Sequence, residues 1–273
     1  MRRGKTAPKS ARGLSGKQSM TARELAAAFT DDDVAAAYQY RPPYPAEVFD
    51  ILTGLIADEP RHVLDLGAGE GALARPLAPL VDRVDAVDVS AAMLARGLRR
   101  PGGRQPNLRW ILGAAETAPL AGPYALVTAG ASLHWMDWDV TLPRLRAELT
   151  ERALLVIVEH GYRELPWRAG LRAVIARHSR SPDFDPDFSL PAALAARGLL
   201  RVTGQAETAA APFRQPVPDY IEQFHSTASL ARTWLPPAEV ADFDAAVARL
   251  VAPHAVDGAL TTSVAATLTW GRI

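Results

Sequence analysis

The sequence predicts an α/β fold in which helices cover both faces of a doubly wound, mostly parallel sheet. Three observations support this prediction. From residue 62 onward, short apolar runs alternate with stretches of helical length. Residues 153–160 form a largely apolar run, which is typical of a strand buried on both faces. A glycine-rich turn at residues 67–71 follows the first apolar run and opens the next predicted helix.

The residues before the first strand are predicted to form helices that cap the sheet. Thr21 and Glu24 have the spacing of a capping box, and the acidic run 31–33 favours the start of a second helix. Pro45 suits the first turn of a third helix. We therefore expect an N-terminal cap over residues 21–57.

Strands and helices then alternate along the chain. We predict strands at residues 62–66, 83–89, 108–113, 124–133, 153–160, 200–206 and 259–270. We predict helices at residues 72–80, 90–98, 137–149, 165–178 and 191–198, a loop at 179–190, and a long helical insertion at 211–256. The folded domain accordingly covers residues 21–273.

The composition excludes several classes of site. The chain has no cysteine, which rules out disulfides, zinc–thiolate sites and a cysteine nucleophile. All of its lysines lie in residues 1–20, so the folded part offers no lysine for a P-loop, a protein kinase or a pyridoxal phosphate enzyme. No cluster of histidines and acids has metal-ligand spacing, and we expect no metal.

The net charge of zero hides an uneven distribution. Residues 1–20 carry six cationic side chains and no acid, which predicts a disordered basic tail, and the rest of the chain carries an excess of six acids. An acidic body disfavours non-specific binding of nucleic acid. An Asn-Pro-Pro-Tyr-type motif for a flipped base is also absent after the fourth predicted strand. We therefore expect no nucleic-acid partner.

The sequence shows no membrane or export signal. No apolar run approaches the ~18 residues that span a bilayer, and the basic N-terminus lacks the apolar segment of a signal peptide. We expect a cytoplasmic protein with no membrane partner, as a monomer or homodimer.

The strongest functional pattern is a predicted nucleoside site. Glycines 67, 69 and 71 allow a tight turn and close approach of a ligand. Asp88 ends the second predicted strand at the spacing where an acid binds ribose hydroxyls. Strand, glycines, helix, strand and acid occur in the order that such a site requires.

The charges at this turn favour one nucleoside ligand over another. Asp65 and Glu70 would repel the pyrophosphate of a dinucleotide, which binds at the glycine turn. S-adenosylmethionine (SAM) has no phosphate, and its amino group and sulfonium are positive. The turn therefore favours SAM. A nicotinamide dinucleotide stays open as an alternative because Gly67, Gly69 and Ala72 also fit its pattern.

Five segments in order resemble the class I SAM-dependent methyltransferases, in their UbiE-like or trans-aconitate-methyltransferase-like small-molecule branch. They are residues 40–45, 63–71, 84–93, 113–116 and 132–135. The resemblance runs from about Phe29 to the C-terminus. It implies a Rossmann-like sheet of seven mostly parallel strands in the order 3-2-1-4-5-7-6, with the last strand antiparallel. It also implies methyl transfer to an oxygen, nitrogen or carbon atom of a small-molecule acceptor.

The resemblance implies a cofactor site in which Asp88 binds the ribose and Val89 and Met93 contact the adenine. Ala114 departs from the family, whose members often carry a polar residue there. Arg41 could meet the SAM carboxylate or an anionic substrate, or lie on the surface. The predicted cofactor residues are Tyr38, Arg41, Asp65, Gly67, Ala68, Gly69, Gly71, Asp88, Val89, Met93, Ala114, Ala115, Glu116 and Gly130.

The acceptor side is predicted from histidines and aromatic residues. His134 follows the fourth strand, at the sheet edge that binds ligands, and is our candidate catalytic base. His160, at the end of the fifth strand, is the alternative base. The predicted substrate-binding residues are Tyr44, His134, Trp135, His160, Tyr220 and His225. Each of them could instead be a packed structural residue.

We thus expect a SAM-dependent methyltransferase. The Ala-rich, Arg-over-Lys composition is typical of a GC-rich genome, from which we expect a role in bacterial secondary metabolism. Two alternatives stay open: an NAD(P)-binding oxidoreductase, and a SAM-binding protein of this fold that does not transfer methyl groups.

Overall fold

The computed structural model describes residues 27–181 and 188–273. The predicted tail, the capping box at Thr21 and part of the predicted loop 179–190 lie outside these residues. The described strands are β1 His62–Leu66, β2 Arg83–Asp88, β3 Leu108–Leu112, β4 Tyr124–Gly130, β5 Leu149–Arg163, β6 Arg201–Glu207, β7 Ala211–Pro216 and β8 Ala259–Arg272. The described α-helices are α1 Asp32–Ala37, α2 Glu47–Gly54, α3 Ala74–Leu77, α4 Ala91–Arg99, α5 Trp138–Arg146, α6 Arg168–His178, α7 Leu190–Ala196, α8 Val217–Glu222 and α9 Pro237–Val251.

These strands form one sheet in the order β3-β2-β1-β4-β5-β8-β6, with β7 also paired to β8. Strands β1 to β5 are mutually parallel, and β8 runs antiparallel to each of its neighbours. The predicted Rossmann-like, doubly wound fold with an antiparallel last strand is therefore confirmed.

Alternate residues of the strands pack on opposite faces of the sheet, as strand geometry requires. Val63 of β1 belongs to a buried cluster with α2 and α3, whereas Leu64 belongs to a cluster with α5 and α7. Both faces of β1 are thus covered, which explains its continuous apolar character.

The prediction of a helical insertion that begins at residue 211 is wrong at its start, because residues 211–216 form strand β7. β6 and β7 pair with consecutive stretches of β8, and Thr208 bridges the break between them. Its N–H donates to Ala266 O at 2.9 Å, and its hydroxyl accepts from Ala266 N at 3.0 Å. The two prolines of β7 obscured this strand, and prolines are tolerated in a strand at a sheet edge.

A helical cap follows β7. From here on, the name cap refers to residues 217–256, which contain α8 and α9, and not to the N-terminal helices. Together with α6, the cap encloses its own apolar core, in which Tyr220, Phe243 and Val247 are fully buried. None of the described helices is both long and apolar enough to cross a membrane.

Candidate cofactor and acceptor site

Two adjoining cavities open at the carboxyl ends of the parallel strands, where open α/β sheets bind ligands. The smaller cavity has a volume of about 270 Å³, and the larger has about 380 Å³. Their walls share five residues, which are Tyr38, Gly67, Gly69, Gly130 and Ala131. A ligand that crosses the glycine turn can therefore occupy both cavities.

The glycine turn after β1 requires its glycines. Gly67, Gly69 and Gly71 have φ angles of +64°, +58° and +78°, which side chains rarely adopt. A Cβ on Gly67 would also lie 2.4 Å from Ser132 Cβ, and one on Gly71 would lie 2.4 Å from the Trp110 ring. At Gly67 and Gly71, glycine is therefore required both by the backbone conformation and by the space available.

Asp88 closes one side of this turn. Its Oδ2 accepts from Gly69 N at 2.7 Å, and its Oδ1 accepts from Ser90 N at 2.8 Å. Burial raises the pKa of Asp88, and the two backbone bonds oppose that rise. Each carboxylate oxygen can accept a further hydrogen bond. The carboxylate is thus fixed in place and can still accept bonds from a ligand in the smaller cavity.

The smaller cavity is otherwise mainly apolar. Phe29 packs edge-on against Trp135, with ring centroids 5.4 Å apart. The apolar side chains of the wall also include Val87, Val89, Met93 and Met136, and the loop 113–116 lies beside them. Glu116 has one oxygen engaged, since its Oε1 accepts from Asp137 N at 2.8 Å. A flat aromatic group suits this slot.

Asp65 lies in the wall of the larger cavity with a side chain that is almost completely buried. Its Oδ1 accepts from the Thr128 hydroxyl at 2.8 Å, whereas its Oδ2 has no hydrogen-bond partner among the described residues. Burial raises the pKa of Asp65 to about 7. A cationic group in the cavity would stabilise the ionised form of this carboxyl.

A segment that we call the strap, residues 38–45, covers the larger cavity. His160 Nε2 donates to Pro42 O at 2.9 Å, because a carbonyl oxygen can only accept. Burial lowers the pKa of His160 and favours its neutral form. The Tyr44 ring lies 4.0 Å from the His160 ring, and burial raises the Tyr44 pKa, so its phenol stays a hydrogen-bond donor.

Arg41 of the strap faces both the larger cavity and the cap. Its guanidinium lies 4.1 Å from the centroid of the Tyr38 ring. Its Nε donates to Ser226 Oγ at 2.7 Å, and its Nη2 donates to Ser226 O at 2.9 Å. The prediction left three roles open for Arg41, and the structure adds a fourth, which is to bind the cap.

Comparisons with known proteins agree with this geometry. Residues 63–151 match the family model described as a methyltransferase domain. A malonyl-[acyl-carrier protein] O-methyltransferase of Halalkalibacterium halodurans is 33% identical over 111 residues, which cover 38% of this chain and 41% of that protein. The chain thus matches about two fifths of that relative's length.

Solved structures with bound S-adenosylhomocysteine (SAH) share the fold. A SAM-dependent methyltransferase of Geobacter sulfurreducens aligns with a TM-score of 0.52 at 18% identity, covering 93% of this chain and 98% of that one. Another, from Thiobacillus denitrificans, has a TM-score of 0.50 at 17% identity, covering 88% and 97%. Residues 63–151 thus match a methyltransferase domain, and the chain shares the fold of these SAM-dependent enzymes. The match agrees with the predicted methyltransferase family, and SAM stays the predicted cofactor.

Most of the residues predicted to bind the cofactor line the two cavities of the methyltransferase domain. The smaller cavity contains Asp88, Val89, Met93, Ala114, Ala115 and Glu116. The larger contains Arg41, Asp65 and Ala68, and the shared wall contains Tyr38, Gly67, Gly69 and Gly130. Gly71 lines neither cavity and instead packs beside Trp110.

The residues predicted to bind the acceptor are spread over three places in the domain. Tyr44 and His160 line the larger cavity, whereas Trp135 lines the smaller one. His134 is exposed beside Trp135, at 4.7 Å between ring centroids, and lines neither cavity. Its predicted catalytic role stays a prediction.

Tyr220 and His225 lie in the cap. Tyr220 is fully buried and accepts from Trp167 Nε1 at 2.8 Å. His225 has Asp244 Oδ1 at 2.8 Å and Leu230 O at 3.0 Å from its two ring nitrogens. Neither residue lines a cavity, and no described residue after His160 does. The structure therefore does not bring the insertion to the cavity walls, although we predicted it on the acceptor side.

Several lining residues were not predicted. Phe29 and Met136 lie far apart in the sequence and meet in the smaller cavity. Arg75 and Arg100 line the larger cavity on either side of Glu70, which Arg100 contacts at 3.1 Å. The sequence around Arg75 does not indicate that this residue lines a cavity, because its contact with Pro101 O depends on how α3 and α4 pack.

Proposed function

We propose that this protein transfers a methyl group from SAM to a small organic acceptor and releases SAH. The observation that carries the proposal is the Asp88 carboxylate in the smaller cavity, which is bonded to Gly69 in the wall that the two cavities share. The smaller cavity has the shape and apolar character for an adenine, and the larger has room for an amino-acid chain beside an acceptor.

Each part of the cofactor has a suitable contact on this chain. Asp88 would accept hydrogen bonds from the ribose hydroxyls, and Phe29 and Met93 would contact the adenine. Asp65, whose almost completely buried carboxyl lies in the wall of the larger cavity, would attract the cationic ammonium group. Nη1 of Arg41, which has no hydrogen bond to any described residue, would take the carboxylate, because Nε and Nη2 are engaged with Ser226.

The residues of the larger cavity would orient the acceptor and exclude water. SAM, when bound, supplies a methyl group on a sulfonium that is already a good leaving group. Correct positioning in such a site can lower a barrier by ~7–11 kcal/mol. Tyr44 can donate a hydrogen bond to an oxygen of the acceptor, and His160 is the one of the two candidate bases that lines this cavity.

The same geometry disfavours a dinucleotide cofactor. Asp65 and Glu70 are both buried at the glycine turn, where a pyrophosphate would lie. Arg75 donates to Glu70 O and Pro101 O rather than towards the first turn of α3. A dinucleotide would therefore place its pyrophosphate beside the Asp65 carboxyl and beside Glu70, whose carboxylate is paired with Arg100.

The test is acceptor-dependent formation of SAH. The wild type would be incubated with SAM and a panel of small hydroxyl, amine and acidic-carbon compounds, with Asp88→Ala as the control. We expect SAH from the wild type with at least one compound and none from the control. Binding of SAM without SAH from any compound would instead indicate a SAM-binding protein that does not transfer methyl groups.

A further inference from the structure

A network of partly buried hydrogen bonds joins the strap to the cap. It begins at Tyr40, whose carbonyl accepts from Gln215 Nε2 at 2.6 Å. The Tyr162 hydroxyl lies 2.8 Å from Gln215 Oε1 and 3.0 Å from Gln223 Oε1, so it can donate to either. The network continues within the cap, where Ser226 Oγ donates to Gln223 O.

The network of hydrogen bonds begins at Tyr40 and ends at Arg41, the next residue of the strap. Ser226 accepts two hydrogen bonds from the guanidinium of Arg41. Tyr40 and Arg41 are consecutive residues of the strap, so two separate contacts grip the same short segment. Gln215, Gln223 and Ser226 are 5%, 6% and 0% exposed. Breaking such a network leaves polar groups without partners, which is costly.

These contacts give the cap a way to act on a site that it does not line. No described cap residue lines either cavity, whereas Tyr38, Arg41 and Tyr44 of the strap do. The positions of those three side chains depend on the strap backbone, which Gln215 and Ser226 hold at Tyr40 and Arg41. Removal of either contact would let the strap move away from the glycine turn.

We propose that Gln215 and Ser226 are positioning residues that set the strap for cofactor binding, and that cofactor binding in return stabilises the cap. This inference rests on the proposed function, since it takes the cavities as the SAM site. Cofactor binding should stabilise the cap because the coupling free energy between two sites acts equally in both directions. The cap is thus coupled to the cofactor through Arg41 and Tyr40 without touching it.

The experiment is hydrogen–deuterium exchange of the full chain with and without SAH, read on peptides from the strap and from the cap. In the wild type, SAH should slow exchange in both segments. Ser226→Ala removes the Oγ that accepts from Arg41 Nε but keeps the carbonyl that accepts from Nη2. In this variant, SAH affinity should fall about fivefold, at the lower end of common coupling strengths. The slowing in the cap should be reduced, and the ligand-free strap should exchange faster than in the wild type.

A matched control separates positioning from simple loss of stability. Asp244→Asn weakens the contact with His225 inside the cap but leaves the network intact. It should lower cap stability and still show SAH-dependent slowing in the cap. Gln215 lies in β7, outside the cap, and Gln215→Met removes its hydrogen bond to Tyr40 O. This variant should behave like Ser226→Ala and replaces it in the experiment if Ser226→Ala fails to fold.

Two results would overturn the inference. One is a wild type in which SAH slows exchange in the strap but not in the cap. The other is a Ser226→Ala protein with unchanged SAH affinity and unchanged strap exchange. If the wild type does not bind SAH, the proposed function fails. The positioning role is then tested by exchange of the strap without ligand. If the strap exchanges at the wild-type rate in both Ser226→Ala and Gln215→Met, the positioning role is rejected as well.

Discussion

Gly69 N donates a hydrogen bond of 2.7 Å to Asp88 Oδ2, which ties the glycine turn after β1 to the end of β2. This contact joins the two strongest features of the sequence pattern in one place. It fixes the Asp88 carboxylate in the smaller cavity next to Gly69, which lies in the wall that both cavities share. The proposed cofactor site is therefore built on backbone geometry as much as on side chains.

The glycines of the turn should differ in their tolerance of alanine. At Gly69 a Cβ has room, with its nearest neighbour at 3.8 Å, so Gly69→Ala adds only the strain of a positive φ, about 1–2 kcal/mol. At Gly67 the same strain is joined by the overlap with Ser132 Cβ. Thermal unfolding should therefore show a larger loss for Gly67→Ala. Equal losses would mean that the overlap does not exist.

Asp65 should make stability depend on pH. Its pKa is about 7 in the folded protein, against an ordinary value of 3.8 when the chain is unfolded. Between these values the folded chain therefore holds a proton that the unfolded chain has lost. The free energy of unfolding should thus fall as pH rises from about 4 to 7 and level off above 7, by at most ~4 kcal/mol for this group.

Asp65→Asn is the matched variant, because its amide oxygen can still accept from the Thr128 hydroxyl. Urea unfolding of both proteins at pH 5 and pH 8 gives the comparison. The difference in unfolding free energy between the two pH values should be smaller in the variant. Identical pH dependence in both proteins would show that Asp65 titrates at its ordinary pKa.

Tyr44 and Gly130 should be energetically coupled. A Cβ on Gly130 would lie 2.5 Å from the Tyr44 hydroxyl oxygen. Gly130→Ala should therefore destabilise the protein by about 1–3 kcal/mol, as overpacking does. Tyr44→Phe removes that oxygen, so the double variant should recover part of the loss in a thermal double-mutant cycle. Strictly additive losses would place the phenol elsewhere.

The cofactor side could be predicted from the sequence because it is local. The turn at Gly67, its neighbouring strands and the acid at Asp88 lie within about 25 residues, and their spacing alone specifies the geometry. The same holds for the predicted helix at residues 90–98, which begins at Ser90, whose hydroxyl accepts from Met93 N at 3.2 Å.

The rest of the site depends on contacts between distant residues. Arg41 and Ser226 are 185 residues apart, and no periodicity or motif in either segment indicates that they meet. Phe29 reaches the smaller cavity only through the packing of the segment before α1. Strand β7 was missed because its two prolines remove backbone donors, a loss that only its edge position makes tolerable.

The most direct test of the cofactor assignment is calorimetric titration with SAH and, separately, with NADPH. We expect the wild type to bind SAH and not NADPH. Asp88→Ala, which loses the ribose acceptor, should bind SAH about a hundredfold more weakly. Asp88→Asn, which keeps one accepting oxygen, should fall between the two. Binding of NADPH without SAH, or an unchanged SAH affinity in Asp88→Ala, would contradict the account.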